Sequence, residues 1–266
     1  MPITAEDIYK NLEQVRQRSP LVHNITNYVV MNLTANALLA VGASPVMAHA
    51  AEEVEDMVAI ASALVINIGT LSEPWVEAMT RAAVAAGRRG IPVIYDPVGV
   101  GATPYRTRTI LALLEAARPA VIRGNGSEIM ASAGASSKTK GVDSVAAADS
   151  ALDSARMLSQ RYGCVVCVSG ETDHIIHKDR MVLIKNGHPL MPKVTGLGCT
   201  ATALCGAFAA VDPDPFTATV SAMAVMGIAG EMAAEKAKGP ASMQVGFLDA
   251  LFNLNGQDIE KRLKMA

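Results

Sequence analysis

The stretch ALVINIGTLSEPWVEAMTRAAVAAGRRGIPVIYDPVG, Ala63–Gly99, decides the fold. It opens on a short apolar run, Ala63–Ile68, that stops at Gly69. A helical pattern occupies Glu73–Arg89, and a second apolar run, Ile91–Tyr95, stops at Asp96 and Pro97. Continuous, mostly β-branched runs of this length suit strands covered on both faces of a parallel sheet. A strand, a helix and a second strand make a βαβ unit. The alternation continues outward through a helix at Tyr105–Ala117, a strand at Ala120–Ile122, a helix at Ala146–Arg161 and a strand at Cys164–Val168. Repeated βα units give an α/β chain with a mostly parallel sheet. His174–His177 and Met181–Lys185 flank Lys178–Asp179 as an antiparallel hairpin at one sheet edge. Further on come an Ala-rich helix, Cys199–Ala210, and a second long helix, Phe216–Lys238, ended by Gly239–Pro240. Asp258–Met265 closes the chain. The N-terminal segment reads as an amphipathic helix capped by Thr4, with Ile8, Leu12 and Val15 along one stripe. Ala135–Val145 reads as a solvated connection rather than a flap. No Pro/Ser/Gly-rich linker divides the sequence, so residues 1–266 are expected to form one domain.

Composition bounds the function. Half of the 266 residues are hydrophobic and 18% are charged, against ~25% in an ordinary globular chain. That excludes a disordered chain. It fits either surface buried between subunits or an Ala-rich core. The formal net charge is −2 and aromatics make up 4%, so there is neither a basic excess for a phosphate backbone nor a set of stacking platforms. Nucleic acid is a poor partner. The N-terminus shows no apolar h-region. The longest apolar stretch, Phe216–Gly230, is shorter than the ~20 residues of a membrane span. The expectation is a cytoplasmic protein with reduced thiols. Cys164 and Cys167 form C-x-x-C within a strand, where side chains three apart face opposite ways. His174 and His177 fail as a metal pair for the same reason.

In open α/β sheets ligands bind beyond the carboxyl ends of the strands. The polar residues there are Asn67 and Gly69, then Asp96, then Arg123, Asn125 and Glu128, then Ser169 and Gly170. A single polar residue after a strand is usually a turn former or helix cap. Together they put two carboxylates, an arginine and several glycines on one rim. Thr195-Gly196-Leu197-Gly198-Cys199 then opens a helix whose first N–H groups lack internal partners and carry the positive end of the helix dipole. This is an anion site suited to a phosphoryl group, or else a plain glycine loop before a core helix. Gly196, Gly198 and Ala201 imitate G-x-G-x-x-A, but no acidic residue follows about 20 positions on. No P-loop is present. Cys199, at the first position or N-cap of that helix, is either a small buried hydrophobe or a thiolate whose pKa the helix lowers. Asp96 and Glu128 offer hard oxygens suited to Mg²⁺, and an arginine near them suits a triphosphate.

Seven blocks carry a family resemblance: HNITNYVVMNLTAN (His23–Asn36), GASPVM (Gly42–Met47), INIGTL (Ile66–Leu71), DPVGVGAT (Asp96–Thr103), RGNGSE (Arg123–Glu128), VSGETD (Val168–Asp173) and VTGLGC (Val194–Cys199). All seven occur in order, and the resemblance they carry runs from about Ser19 to Gly239. On them the chain resembles the hydroxyethylthiazole kinases of thiamin biosynthesis and salvage, within the ribokinase-like superfamily. The resemblance implies a three-layer α/β/α sandwich, with a mostly parallel sheet and an antiparallel edge hairpin. It implies ATP-dependent phosphorylation of the hydroxyl of 4-methyl-5-(2-hydroxyethyl)thiazole, Mg²⁺ as the metal, and a homotrimer with thiazole sites at subunit interfaces. Arg123 and Ser169 (where Thr is usual) are then expected to bind ATP, and Asp96 and Glu128 to organise Mg²⁺. Met47, Gly196 and Asn27 are expected to contact the thiazole alcohol. Cys199 stands in the place of the proton acceptor, where most ribokinase-like enzymes have Asp. Leu197 is bulkier than the small residue the resemblance implies between the two glycines. Only the GASPVM block singles out Met47 among fourteen methionines. Three rivals stand beside this reading: a kinase of another small alcohol such as hydroxymethylpyrimidine, a thiol hydrolase using Cys199, and a non-catalytic nucleotide-binding regulator. A thiol hydrolase needs a partner histidine, and none is placed near Cys199 by sequence.

Overall fold

The computed structural model describes residues 2–134 and 144–266. One eight-stranded sheet is built from β1 (Leu21–Ile25), β2 (Ser44–Val46), β3 (Ala63–Asn67), β4 (Val93–Asp96), β5 (Val121–Asn125), β6 (Val165–Ser169), β7 (Asp173–His177) and β8 (Arg180–Ile184). The strand order is β2-β1-β3-β4-β5-β6-β7-β8. All pairs from β2 to β6 are parallel. β7 and β8 form the antiparallel edge hairpin, turning at Lys178 with φ 55°.

Helices cover both faces. On one side lie α1 (Ala5–Arg18), α2 (Met31–Val41), α8 (Leu197–Ala209), α9 (Pro215–Ala234), α10 (Pro240–Asn253) and α11 (Gly256–Arg262). On the other lie α3 (Val54–Ile60), α4 (Glu73–Arg89), α5 (Pro104–Ala116), α6 (Gly126–Ser132) and α7 (Ser144–Tyr162). Each face of the sheet has its own apolar core, one through Val22, Val65, Ile94 and Val121 and the other through Ile25, Ile66, Tyr95 and Ile122. That division follows strand alternation, successive side chains pointing to opposite faces. The three-layer sandwich and its edge hairpin are as expected.

The Thr4 cap and the buried stripe of Ile8, Leu12 and Val15 on α1 are present. Cys164 and Cys167 fall in opposite cores. The long apolar helix α9 has the length and hydropathy of a membrane span, but 83% of its most apolar window is buried inside the molecule. Several bounds need correction. The helix expected at Phe216–Lys238 ends at Ala234, because Gly239 and Pro240 start α10 rather than merely stopping α9. The last helix stops at Arg262, and Met265 instead bridges to Ile184 beside β8. Residues 135–143 of the connection expected at Ala135–Val145 lie outside the described residues.

One topological feature positions the site. The chain runs from β1 to β2 on one side, then crosses to β3 on the other side of β1. The carboxyl ends of β1 and β3 therefore flank the point where the winding reverses, the crevice where doubly wound sheets bind ligands.

Candidate functional site: a polar rim at the switch point

Alternation decides which residues meet there. Val65, Ile94 and Val121 face the α8 side of the sheet. Two positions on, Asn67, Asp96 and Arg123 therefore face the same side, at the carboxyl ends of three adjacent strands. Asn67 stands opposite Asp96 in the ladder. Asn27, two residues past β1, reaches across the switch point. Its Nδ2 donates to Asn67 Oδ1 at 2.8 Å and to Cys199 Sγ at 3.5 Å. Asn67 Nδ2 donates to Asp96 Oδ2 at 2.7 Å, and Thr202 Oγ1 to the same oxygen at 2.9 Å. Asn27, Asn67, Asp96 and Thr202 are all buried. The amide-to-carboxylate relay ties the two sides of the crevice to the first turns of α8.

Gly196 caps α8 with φ 90°, a left-handed conformation that favours glycine. The first intrahelical bond runs from Thr200 N–H to Gly196 C=O at 2.8 Å. The N–H groups of Leu197, Gly198 and Cys199 precede it and face the rim without intrahelical partners. Cys199 is thus the third helical residue, not the first or the N-cap. Leu197 turns into the apolar core between α8 and the sheet, so its bulk stays out of the N–H cluster. Gly198 makes room for Arg123: a Cβ there would sit 3.0 Å from Arg123 Nη1.

Arg123 has no carboxylate within ion-pair distance among the described residues, and its buried Nε has no hydrogen-bond partner. Burial is the largest influence and works against its charge, but Asp96, Cys167, Asp173 and Cys205 together outweigh it and raise the pKa. Glu128 does take the cap role. Its Oε2 accepts from the Asn125 N–H and its Oε1 from the Gly99 N–H, both at 2.9 Å. It closes the capping box of α6 and pins the loop after β4. Ser169, at the end of β6, donates to Gly124 C=O at 3.2 Å. Met47 lies just past the edge strand β2 on the same rim, half-buried and outside the hydrogen-bonded cluster.

The electrostatics correct one expectation. Burial pushes the Cys199 thiol up to about 11, the charge of Asp96 adds to this, and the Asn67 and Asn27 amides offset only part of it. Asp96 is itself pushed up to about 6, by burial first and with the charge of Glu128 adding to it, while Arg123, Thr202 and Asn67 pull the other way. No group of three or more His, Cys, Asp or Glu forms a metal site among the described residues. Both hydrogen bonds to Asp96 fall on Oδ2. Two close carboxylates that repel each other fit a hard divalent cation held mainly by water and phosphate oxygens, not by an all-protein cage.

A stability prediction follows from Asp96. Its folded pKa lies above the usual 3.8, so the folded state holds the proton more tightly and loses stability as pH rises from about 4 through 6. A shift of about two units corresponds to ~3 kcal/mol. Asp96→Asn keeps the shape without the charge. The variant is expected to exceed the parent in urea stability at pH 8, with the gap closing as pH falls from 6 to 4. A constant gap across that range would remove the charge as the cause.

Reading strand ends locates Asn67, Asp96 and Arg123 but misses Thr202, whose only signal is its position one turn after Gly198. It also misses Arg106, which donates to the carbonyls of Ile68, Gly69 and Val98 at 2.7, 2.7 and 2.6 Å and braces the loops after β3 and β4.

The model of the hydroxyethylthiazole kinase family matches residues 12–257. The hydroxyethylthiazole kinase of Syntrophus aciditrophicus (strain SB) is 60% identical over 266 residues, covering 100% of this chain and 98% of that one. A solved hydroxyethylthiazole kinase protein from Pyrococcus horikoshii OT3 is 44% identical, with a TM-score of 0.90 and 98% of each chain covered. A ribokinase-like superfamily protein from Enterococcus faecalis V583 shares the fold with a TM-score of 0.67 at 12% identity, covering 94% of each chain. With a ribokinase-like fold, a glycine-capped helix facing rim acids at the switch point, and a match running nearly end to end, the chain belongs to the hydroxyethylthiazole kinase family.

Proposed function

We propose that this chain transfers the γ-phosphoryl group of ATP to the hydroxyl of 4-methyl-5-(2-hydroxyethyl)thiazole, in thiamin biosynthesis or salvage. Its family is one of phosphotransferases. The observation that carries the reading is Arg123: a guanidinium with no carboxylate within ion-pair distance among the described residues, set against Gly198 at the positive end of α8 and beside Asp96. A buried guanidinium that makes no ion pair among the described residues, on a rim of bare N–H groups, suits transferred phosphate.

Phosphoryl transfer leaves little covalent work to the protein, so positioning and charge neutralisation dominate. Arg123 and the α8 N–H groups receive the charge that develops on the phosphoryl oxygens, with Ser169 as a further nucleotide contact. Asp96 and Glu128 would hold Mg²⁺, which screens the phosphates when bound. Asn27, Met47 and Gly196 hold the alcohol beside Cys199, and the Cys199 thiolate accepts its proton. We read the chain as a single domain over residues 1–266 and as a cytoplasmic homotrimer. Tyr28 and Val29, next to Asn27, are 64% and 65% exposed, and this apolar surface beside the alcohol site supports a subunit boundary there.

Incubation with ATP, Mg²⁺ and a panel of small alcohols tests the reading. Hydroxyethylthiazole phosphate is expected as the preferred product; preferential phosphorylation of hydroxymethylpyrimidine, or thioester formation without ATP use, would overturn it. Gly69 offers a sharper geometric check. A Cβ there would meet Asn27 Nδ2 at 2.6 Å, displacing the residue that links Cys199 to Asn67. Gly69→Ala is expected to lower kcat/KM for the thiazole alcohol by roughly 10–10²-fold, as misplacement near 1 Å does, with KM for ATP little changed. Equal loss toward both substrates would mean a general folding defect.

A further inference from the structure

His23 is buried in β1, and the reaction as described does not use it. Its Nε2 lies 2.8 Å from Ala48 C=O. A carbonyl only accepts, so Nε2 carries the hydrogen and donates, which leaves Nδ1 as the acceptor. That Nδ1 is buried with no hydrogen-bond partner among the described residues, a desolvation penalty that an apolar residue would avoid. What the histidine supplies in exchange is one hydrogen bond to one loop. β2 is only three residues long and lies at the sheet edge. Its ladder with β1 ends at the pair His23–Val46. The imidazole carries the tie two residues further, to Ala48. His49 adds a second tie: its Nδ1 lies 3.3 Å from Met47 C=O, so it donates there. The His49 ring packs on Trp75 with centroids 4.5 Å apart, and Tyr28 packs on Trp75 at 4.6 Å. Tyr28 directly follows Asn27. The segment after β2 and the segment after β1 are thereby braced against one buried indole.

We propose that His23 and His49 are positioning residues for the acceptor alcohol, clamping the Ala48 and Met47 carbonyls so that the segment carrying Met47 is held at a fixed distance from Asn27 and Cys199. The clamp rests on the functional reading above, in which Met47 and Asn27 contact the thiazole alcohol. It acts on the alcohol side of the site alone, since Arg123 and Ser169 lie on β5 and β6, across the sheet. Loss of the clamp therefore weakens the alcohol and spares ATP.

Trp75 is the only tryptophan in the chain, so its emission reports on this brace without any turnover. The test uses full-length chain, hydroxyethylthiazole and ATP. Titrating the wild type with hydroxyethylthiazole alone is expected to change Trp75 emission saturably. His23→Phe, which keeps a ring but removes the donor, is expected to raise KM and Kd for the alcohol about tenfold while KM for ATP stays within about twofold. His23→Gln, which restores an N–H donor, is expected to return both to within about threefold of wild type. His49→Leu, nearer the surface and independent of the β1 core, is expected to raise KM for the alcohol about threefold and to shift Trp75 emission; it decides the matter should His23→Phe not fold. Unchanged alcohol binding in His23→Phe, no rescue by His23→Gln, or an equal rise in KM for ATP would each overturn the clamp while leaving the kinase reading intact. A wild-type chain that does not phosphorylate the thiazole alcohol would overturn the functional reading itself, and the clamp with it.

Discussion

Replacing Arg123 with methionine is expected to lower kcat for thiazole phosphorylation by about 10³–10⁵, the range an arginine contributes when it meets the charge of a transferring phosphoryl group. Methionine keeps much of the apolar stem and removes only the cation. Two further readouts separate this from a packing defect. Arg123 is among the groups that hold the Asp96 pKa down, so its loss should carry that carboxyl above its present value near 6. The acid limb of the pH–rate profile should move to higher pH with it. Arg123→Lys keeps the charge but loses the planar fork, and is expected to recover only part of the rate. A variant with kcat within tenfold of wild type and an unmoved acid limb would take Arg123 out of the phosphate site and remove the main support for the functional reading.

Why the sequence points to Arg123 but not to Thr202 has a physical answer. Strand ends are legible because β-branched runs stop at polar residues, and the parallel topology sends all those ends to one rim. Asn67, Asp96 and Arg123 are found that way. Glu128 has the capping signature Asn125-x-x-Glu128 in plain view, and its capping role is the one the hydrogen bonds record. Contacts between distant segments have no such signal. The Asn27–Asn67 bond spans the winding reversal, and the Tyr28–Trp75–His49 brace joins two loops to the first turn of α4. The strands β1 and β2 escape a periodicity reading for related reasons: Leu21–Ile25 contains His23 and Asn24, and Ser44–Val46 is short and contains Pro45. Helix dipole reasoning places a low pKa on Cys199, yet desolvation and the Asp96 charge act at close range and win. Burial depth is what the sequence withholds.

That inversion turns Cys199 into a test of mechanism through pH. With a pKa of about 11, roughly one thiol in 10⁴ is ionised at pH 7. A strong but rare base follows. Each unit of pH adds about tenfold to the thiolate, so kcat/KM of the wild type is expected to rise with a slope near one between pH 7 and 9, above the titration of Asp96. A positioned base contributes ~10²–10⁴-fold. Scarcity of thiolate puts the loss in Cys199→Ala near the low end at pH 7, about 10²-fold, growing toward 10⁴-fold at pH 9 as the wild type gains and the variant stays flat. Cys199→Ser keeps the size and hydrogen-bonding capacity, but its hydroxyl does not ionise in this range, so it should follow Cys199→Ala and lose the slope. The diverging profiles are what a merely structural thiol cannot produce, because lost packing lowers the rate by a factor that does not depend on pH. Parallel wild-type and Cys199→Ala profiles would assign the thiol to packing. The alcohol proton would then leave late in a loose transition state, without a side-chain base.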